Sequence, residues 1–308
     1  MKMGNVIRIG TRESQLAVWQ ATLVKDMLLK NSYEAELVFI KSEGDIDLQT
    51  PLYEMGVQGI FTKALDIALL NQKIDIAVHS MKDVPITTAK GIVQAAVLKR
   101  ASYKDILVFK DDTNFLNSEA SAAVIATSSI RRKAQWLNRY PNHSIENLRG
   151  NVNTRLQKLQ DNNWNGAVFA AAGLERIGLR PQNSIDLDWM LPAPAQGAIM
   201  VVCRESDADC IEACADLNDV ETALCTKAER DFLKTLLGGC STPISALAEI
   251  KNETFFFNGN ILSTDGKEKA AIEKICPVSE IKDLGITAAY ELLEKGGKKI
   301  AEAINHAG

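Results

Sequence analysis

The sequence predicts an α/β protein: two domains of strand–helix alternation, followed by a small α+β domain. Three observations carry that expectation. Residues 5–98 alternate short apolar runs with longer amphipathic ones, a second alternation begins after Ala120, and from about Asp216 the order becomes one long helix, strands and a further helix. The chain has 308 residues, and at roughly 150 residues per domain that gives two or three domains.

In chain order, NVIRIG, AELVFI, IDIAVHS and IVQAAVL read as strands, with QLAVWQATLVKDMLL and FTKALDIALL as helices between them, a pattern that points to a largely parallel sheet. Between them, residues 41–60 are polar and punctuated by glycine without a period, as in a lid or binding loop. The second alternation runs AAVIA, a helix from about Ser129, SIENL, a helix VNTRLQKLQ, GAVFAA and GLERIGL. LPAPAQGAIMVVCRE then supplies prolines, a turn and another apolar strand, which takes the chain back toward the first domain. A long helix, VETALCTKAERDFLKTLL, stops at Gly238 and Gly239 and leads to ISALAEI, TFFFNGNIL and a helix at 281–296. The resulting division is 1–99 with 199–216 as domain 1 (lid at about 42–60), 104–194 as domain 2 and 217–308 as domain 3.

Hydrophobic residues make up 46% and charged residues 24%, an ordinary globular composition. With 35 Lys and Arg against 39 Asp and Glu, the net charge of −4 gives no global basic field to gather nucleic acid. No apolar run approaches the ~18 residues of a membrane span, and the N-terminal segment carries charges without an apolar core, which reads as cytosolic. Six cysteines without a CxxC pair, and three scattered histidines, do not make a metal site, although Cys210 and Cys214 are spaced to share a helical face.

Three clusters carry candidate chemistry. IDIAVHSMKDVP ends a buried strand at Val78 and releases His79, Ser80, Lys82 and Asp83 at a strand's carboxyl end, where α/β sheets bind ligands. The alternative is an ordinary turn with Asp83 as a turn residue. Arg131, Arg132, Arg149, Arg155 and Arg176 concentrate around expected helix N-termini, a setting for carboxylates or phosphates; solvated, ion-paired helix faces are the competing reading. In LGGCSTP, Gly238 and Gly239 let the backbone bend and expose Cys240 as a nucleophile or attachment point, unless it is a buried structural thiol.

Together RIGTRESQLAVWQA, GIFTKALDIALL, DIAVHSMKDVP, ATSSIRRKAQWL, LRGNVNTRLQKL, AAGLERIGL, LPAPAQGAI and AERDFLKTLLGGCSTPI resemble the porphobilinogen deaminase (hydroxymethylbilane synthase) family over essentially the whole chain. The resemblance implies two domains like type II periplasmic binding proteins around a cleft, plus the small third domain. It implies a transferase that joins four porphobilinogen molecules into a linear tetrapyrrole with release of ammonia. The primer it implies is a dipyrromethane cofactor, attached through Cys240. Asp83 is the implied catalytic residue. Arg12, Ser14, Ser80, Lys82, Thr127, Ser129, Arg131, Arg132, Arg149, Arg155, Arg176 and Gln196 are the implied cofactor- and substrate-binding set. Guanidinium groups suit a product that accumulates carboxylates, and a carboxylate at Asp83 suits the cationic azafulvene left by ammonia loss. The expectation is a cytoplasmic monomer with porphobilinogen as its partner, no nucleic acid, no membrane and no metal. The competing class is a noncatalytic bilobal anion-binding protein. Two places depart from the family pattern: Glu54 and Gln58 stand where lysines are expected in the lid, and Ala195 replaces a glycine.

Overall fold

The computed structural model describes residues 6–41, 62–118, 120–236 and 242–306. The lid with Glu54 and Gln58, and the attachment candidate Cys240, lie outside the described residues.

The described part of the first region contains β1 (Ile7–Thr11), α1 (Gln15–Lys30), β2 (Ala35–Phe39), α2 (Lys63–Leu70), β3 (Ile76–Ser80) and β4 (Ile92–Val97). The second holds β5 (Asp105–Phe109), β6 (Val124–Ala126), α3 (Ile130–Arg139), β7 (Ser144–Glu146), α4 (Val152–Asp161), β8 (Gly166–Ala170), α5 (Ala171–Glu175) and β9 (Ser184–Asp186). The chain continues through β10 (Ile199–Arg204), α6 (Ala208–Ala215), α7 (Val220–Thr235), β11 (Ile244–Lys251), β12 (Thr254–Leu262), β13 (Lys269–Pro277), α8 (Leu284–Leu292) and α9 (Lys298–His306).

Two five-stranded sheets have the orders β2-β1-β3-β10-β4 and β7-β6-β8-β5-β9. Each is mixed, where the alternation had predicted a largely parallel sheet. β1 pairs parallel with β2 and β3, and β6 pairs parallel with β7 and β8. β10 then runs antiparallel between β3 and β4, and β5 antiparallel between β8 and β9. The returning strand expected from LPAPAQGAIMVVCRE is β10, and its pairing carries β3 past Val78: His79 opposes Met200 and Ser80 opposes Ile199. The sequence reading overlooked β5, β9, β13 and α9.

α1 buries Ala17, Gln20, Ala21, Val24 and Leu28, the spacing of one helical face, and Ala21, Val24 and Leu28 share a core with Ile7, Ile9, Ile76 and Val78 of the sheet. In the C-terminal region β11-β12-β13 form an antiparallel sheet. Phe232 of α7 packs edge-on to Phe257 at 5.3 Å between centroids. Gly259 permits that approach, since a Cβ there would stand 2.6 Å from the Phe232 ring.

By contacts the described chain forms two compact units: residues 6–41, 62–101 and 197–224 in one, and 102–118, 120–196, 225–236 and 242–306 in the other. The second unit joins the second five-stranded sheet to the three-stranded one. Gln135 Nε2 donates to Ser245 Oγ at 3.0 Å, and buried Glu229 accepts from Ala195 N at 2.6 Å and Ala248 N at 2.7 Å.

Candidate active site

In the first unit, β1 and β3 release their polar residues side by side. Arg12 follows β1, and Ser14 caps α1, its Oγ accepting from Ala17 N at 3.4 Å. β3 ends in His79 and Ser80, and Met81–Asp83 form a single 3-10 turn whose Met81 N donates to Ala198 O at 3.0 Å. Arg12, Ser14, His79, Ser80 and Asp83 line a recess of about 60 Å³ together with the first turn of α1 and Thr62. Ser80 Oγ accepts from Gln20 Nε2 at 2.9 Å. Lys82 lies half-buried in the turn and is not part of the recess wall.

Asp83 does sit in a turn, as the alternative reading held, but its carboxylate does not build it. A turn aspartate ordinarily accepts from its own backbone; here the half-buried Asp83 carboxylate has no hydrogen-bond or ion-pair partner among the described residues. It faces the recess unspent. His79 is only 7% exposed, and burial, then Arg12, push its pKa down to about 4, so the ring is neutral.

In the second unit, Thr127 and Ser129 follow β6. Ser129 caps α3, its Oγ at 3.5 Å from Arg132 N, while its own N donates to Thr127 Oγ1 at 3.2 Å. Arg131 and Arg132 then enter the interior, at 5% and 6% exposed, so the solvated-face reading fails for both. They converge on Asp105, which is 0% exposed. Arg131 Nη1 lies 2.7 Å from Oδ2 and donates to Leu191 O at 2.8 Å. Arg132 donates to Oδ1 through Nε at 3.0 Å and Nη2 at 2.7 Å, and to Val168 O through Nη1 at 2.9 Å. Gln196 Nε2 adds 3.0 Å to Oδ1 and 2.7 Å to Tyr103 O. Burial lowers the pKa of Arg131 although Asp105 opposes the shift. Two guanidiniums on one carboxylate leave the cluster one positive charge in excess.

Arg149 is buried, and Arg155 donates from Nε to Gly150 O at 2.7 Å, so the pair flanks the entry to α4, where Asn151 caps through Oδ1 to Thr154 N at 3.0 Å. Gly150 has φ +114°, a conformation glycine adopts without strain. Arg176 closes α5, and its burial outweighs nearby Glu175, pulling its pKa down to about 10. The structure thus brings Arg12, Ser14, Ser80 and Asp83 to one recess, ties Thr127, Ser129, Arg131, Arg132 and Gln196 into one network, and sets Arg149, Arg155 and Arg176 at two further helix ends.

One residue with an evident structural role, Asp105, gives little signal in the sequence beyond an acidic residue opening an apolar strand. Cys210 and Cys214 are buried on α6, where burial pushes the thiols up, Cys214 to about 12, which disfavours metal-binding thiolates. Among the described residues no cluster of three or more His, Cys, Asp or Glu is arranged to hold a metal ion.

Residues 7–212 match the family profile described as porphobilinogen deaminase, dipyromethane cofactor binding domain, and residues 223–294 match porphobilinogen deaminase, C-terminal domain. A porphobilinogen deaminase of Desulforamulus reducens is 39% identical over 306 residues, covering 98% of this chain and 99% of that protein. One of Syntrophotalea carbinolica is 39% identical over 305 residues, covering 98% and 96%. An ABC transporter periplasmic substrate-binding protein from Coxiella burnetii aligns over 73% of this chain and 97% of its own, with 15% identity and a TM-score of 0.43, a looser likeness that carries no weight for function.

Proposed function

The chain belongs to the porphobilinogen deaminase family, and from that membership we infer its reaction: four porphobilinogen molecules are joined head to tail, with loss of ammonia, into hydroxymethylbilane. The noncatalytic anion-binding alternative has no comparable support. The profile matched by residues 7–212 is the dipyrromethane cofactor binding domain. When bound, the dipyrromethane supplies the covalent primer on which the tetrapyrrole is built. The donor set fits such a polycarboxylate, because the Asp105 network carries excess positive charge and Arg176 is buried beyond what Glu175 offsets.

We assign Cys240 as the attachment residue and Asp83 as the catalytic carboxylate. The observation that carries the assignment of Asp83 is its unspent carboxylate at the rim of β3, in the same recess as Arg12. Ammonia loss from porphobilinogen leaves a cationic azafulvene, and a positioned carboxylate with no partner among the described residues can stabilise that charge. Arg12 and Ser14 bind incoming substrate, with Ser80 and Lys82 as further donors. Arg149, Arg155 and Arg176 neutralise carboxylates of the growing product. Arg131 binds a cofactor carboxylate alongside Thr127 and Ser129, while Arg132 and Gln196, whose donors turn onto Asp105 and backbone carbonyls, hold it in place. Domains 1–99 with 199–216, 104–194 and 217–308 remain our functional division.

We also read the protein as a cytoplasmic monomer; no helix among the described residues is long and apolar enough to cross a membrane. Intact mass tests attachment and family together. The wild type is expected to exceed its chain mass by two linked pyrrole units, and Cys240→Ala to lose that increment together with turnover; an active wild type of unmodified mass would overturn the reading.

A further inference from the structure

His79 is a buried histidine whose Nε2 has no hydrogen-bond partner among the described residues. Leaving such a nitrogen unsatisfied inside a protein is unfavourable, so its place in the wall of a recess calls for an explanation. Beside the Asp83 carboxylate, the recess has three features that favour an anion at its other side. Arg12 brings a guanidinium to its wall. Leu16 and Ala17 of the recess wall belong to the first turn of α1, a sixteen-residue helix whose N-terminus carries partial positive charge. His79, whose Nε2 has no partner among the described residues, lines the same recess. At about 60 Å³ the recess admits one end of a porphobilinogen rather than its whole body, and the substrate's ends include an acetate and a propionate.

We propose that His79 binds substrate: its Nε2–H donates to one carboxylate of porphobilinogen, which Arg12 and the N-terminus of α1 hold at the same time. This rests on the family reading of the substrate and adds a binding residue to it. The chemistry favours an uncharged donor at this position. A second cation there would oppose the cationic intermediate that forms beside Asp83, in the same recess, whereas a neutral imidazole grips the carboxylate without that cost. Burial and the adjacent Arg12 keep the ring neutral.

The test combines kinetics with nitrogen NMR on cofactor-loaded protein. Loss of a neutral donor to a carboxylate is expected to raise KM about 10- to 100-fold in His79→Leu, with kcat changed less. His79→Gln, which keeps an amide N–H at similar reach, should recover most of that loss. Equal impairment of both variants, or an unchanged KM in His79→Leu, overturns the proposal. Should His79→Leu fail to fold, nitrogen-15 spectra of the histidine rings in wild-type enzyme decide. Saturating porphobilinogen is expected to shift a neutral, Nε2-protonated ring signal that is lost in His79→Gln. No shift, or a ring protonated only at Nδ1 in the bound state, contradicts it. A wild type lacking both cofactor mass and turnover would instead overturn the family reading, so the two failures are distinguishable.

Discussion

Strand ends in the first sheet and in the second are occupied by similar residue types and put to different use. After β1 and β3 the chain leaves His79 Nε2 and the Asp83 carboxylate without hydrogen-bond partners among the described residues, and both residues line a recess with Arg12. After β6 it turns Arg131 and Arg132 inward, onto the carboxylate of Asp105 on β5 and backbone carbonyls. Both sheets place an antiparallel fourth strand beside three parallel ones. Topology therefore does not decide which polar groups stay available; the decisive feature is whether the intruding strand carries a counter-charge. β5 begins with Asp105, whereas β10 presents Ile199 and Met200 opposite Ser80 and His79. A carboxylate that satisfies its neighbours is a support, and one that satisfies none is available for chemistry.

The sharpest way to break this comparison is to remove Asp105. Asp105→Leu leaves two buried guanidiniums without their shared carboxylate and is expected to destabilise the fold by about 3–5 kcal/mol, read from denaturant midpoints. A loss below 1 kcal/mol, by the same linear-extrapolation measure, would show that the cluster is not a structural ion network.

His79 gives the next effect. Its folded pKa of about 4 lies below the unfolded value of 6.5, so between those values the unfolded chain binds more protons and stability falls as pH falls. At roughly 1.36 kcal/mol per pKa unit, acidifying from pH 7 to pH 4 costs on the order of 3 kcal/mol through this residue. Arg12 and Asp83 share its recess, so the readout is a difference: His79→Gln should flatten the stability profile over that interval relative to wild type. Parallel profiles would mean that the ring is not held neutral.

Much of this was legible in the sequence, for identifiable reasons. The period of α1, the strands β1, β3 and β10, and the start of α3 at Ser129 follow from local patterns, and the family motifs are contiguous. Asp105 was not legible because its role depends on two arginines 26 and 27 positions further along, brought to it by β5 running antiparallel beside β8. The role of His79 was equally hidden. A histidine in an apolar strand reads as core, and only the recess beside α1 distinguishes it. β13 escaped because KAAIEKICP mixes charge into its alternation on a sheet edge.

The smallest effect concerns the departure at Ala195. The residue is fully buried with φ +62°, in the left-handed region that favours glycine, and its N–H is held by Glu229. Ala195→Gly removes a strain of about 1–2 kcal/mol and adds unfolded-state entropy of about half that, so a gain of up to about 1 kcal/mol, or roughly 2–4 °C in Tm, is expected in a thermal melt. A lower Tm would mean that the Ala195 methyl contributes more by packing than its backbone conformation costs.

Asp83→Asn tests the contrast between a supporting and a reacting carboxylate most directly. The variant keeps the shape of the side chain and removes only its charge, in a position where that charge holds no other group among the described residues. In cofactor-loaded protein of confirmed mass, kcat for porphobilinogen should fall at least about 100-fold, as expected for loss of charge stabilisation specific to the transition state, with Tm unchanged. Near-normal turnover, or a loss of stability like that of Asp105→Leu, would place Asp83 among the structural carboxylates and contradict the account.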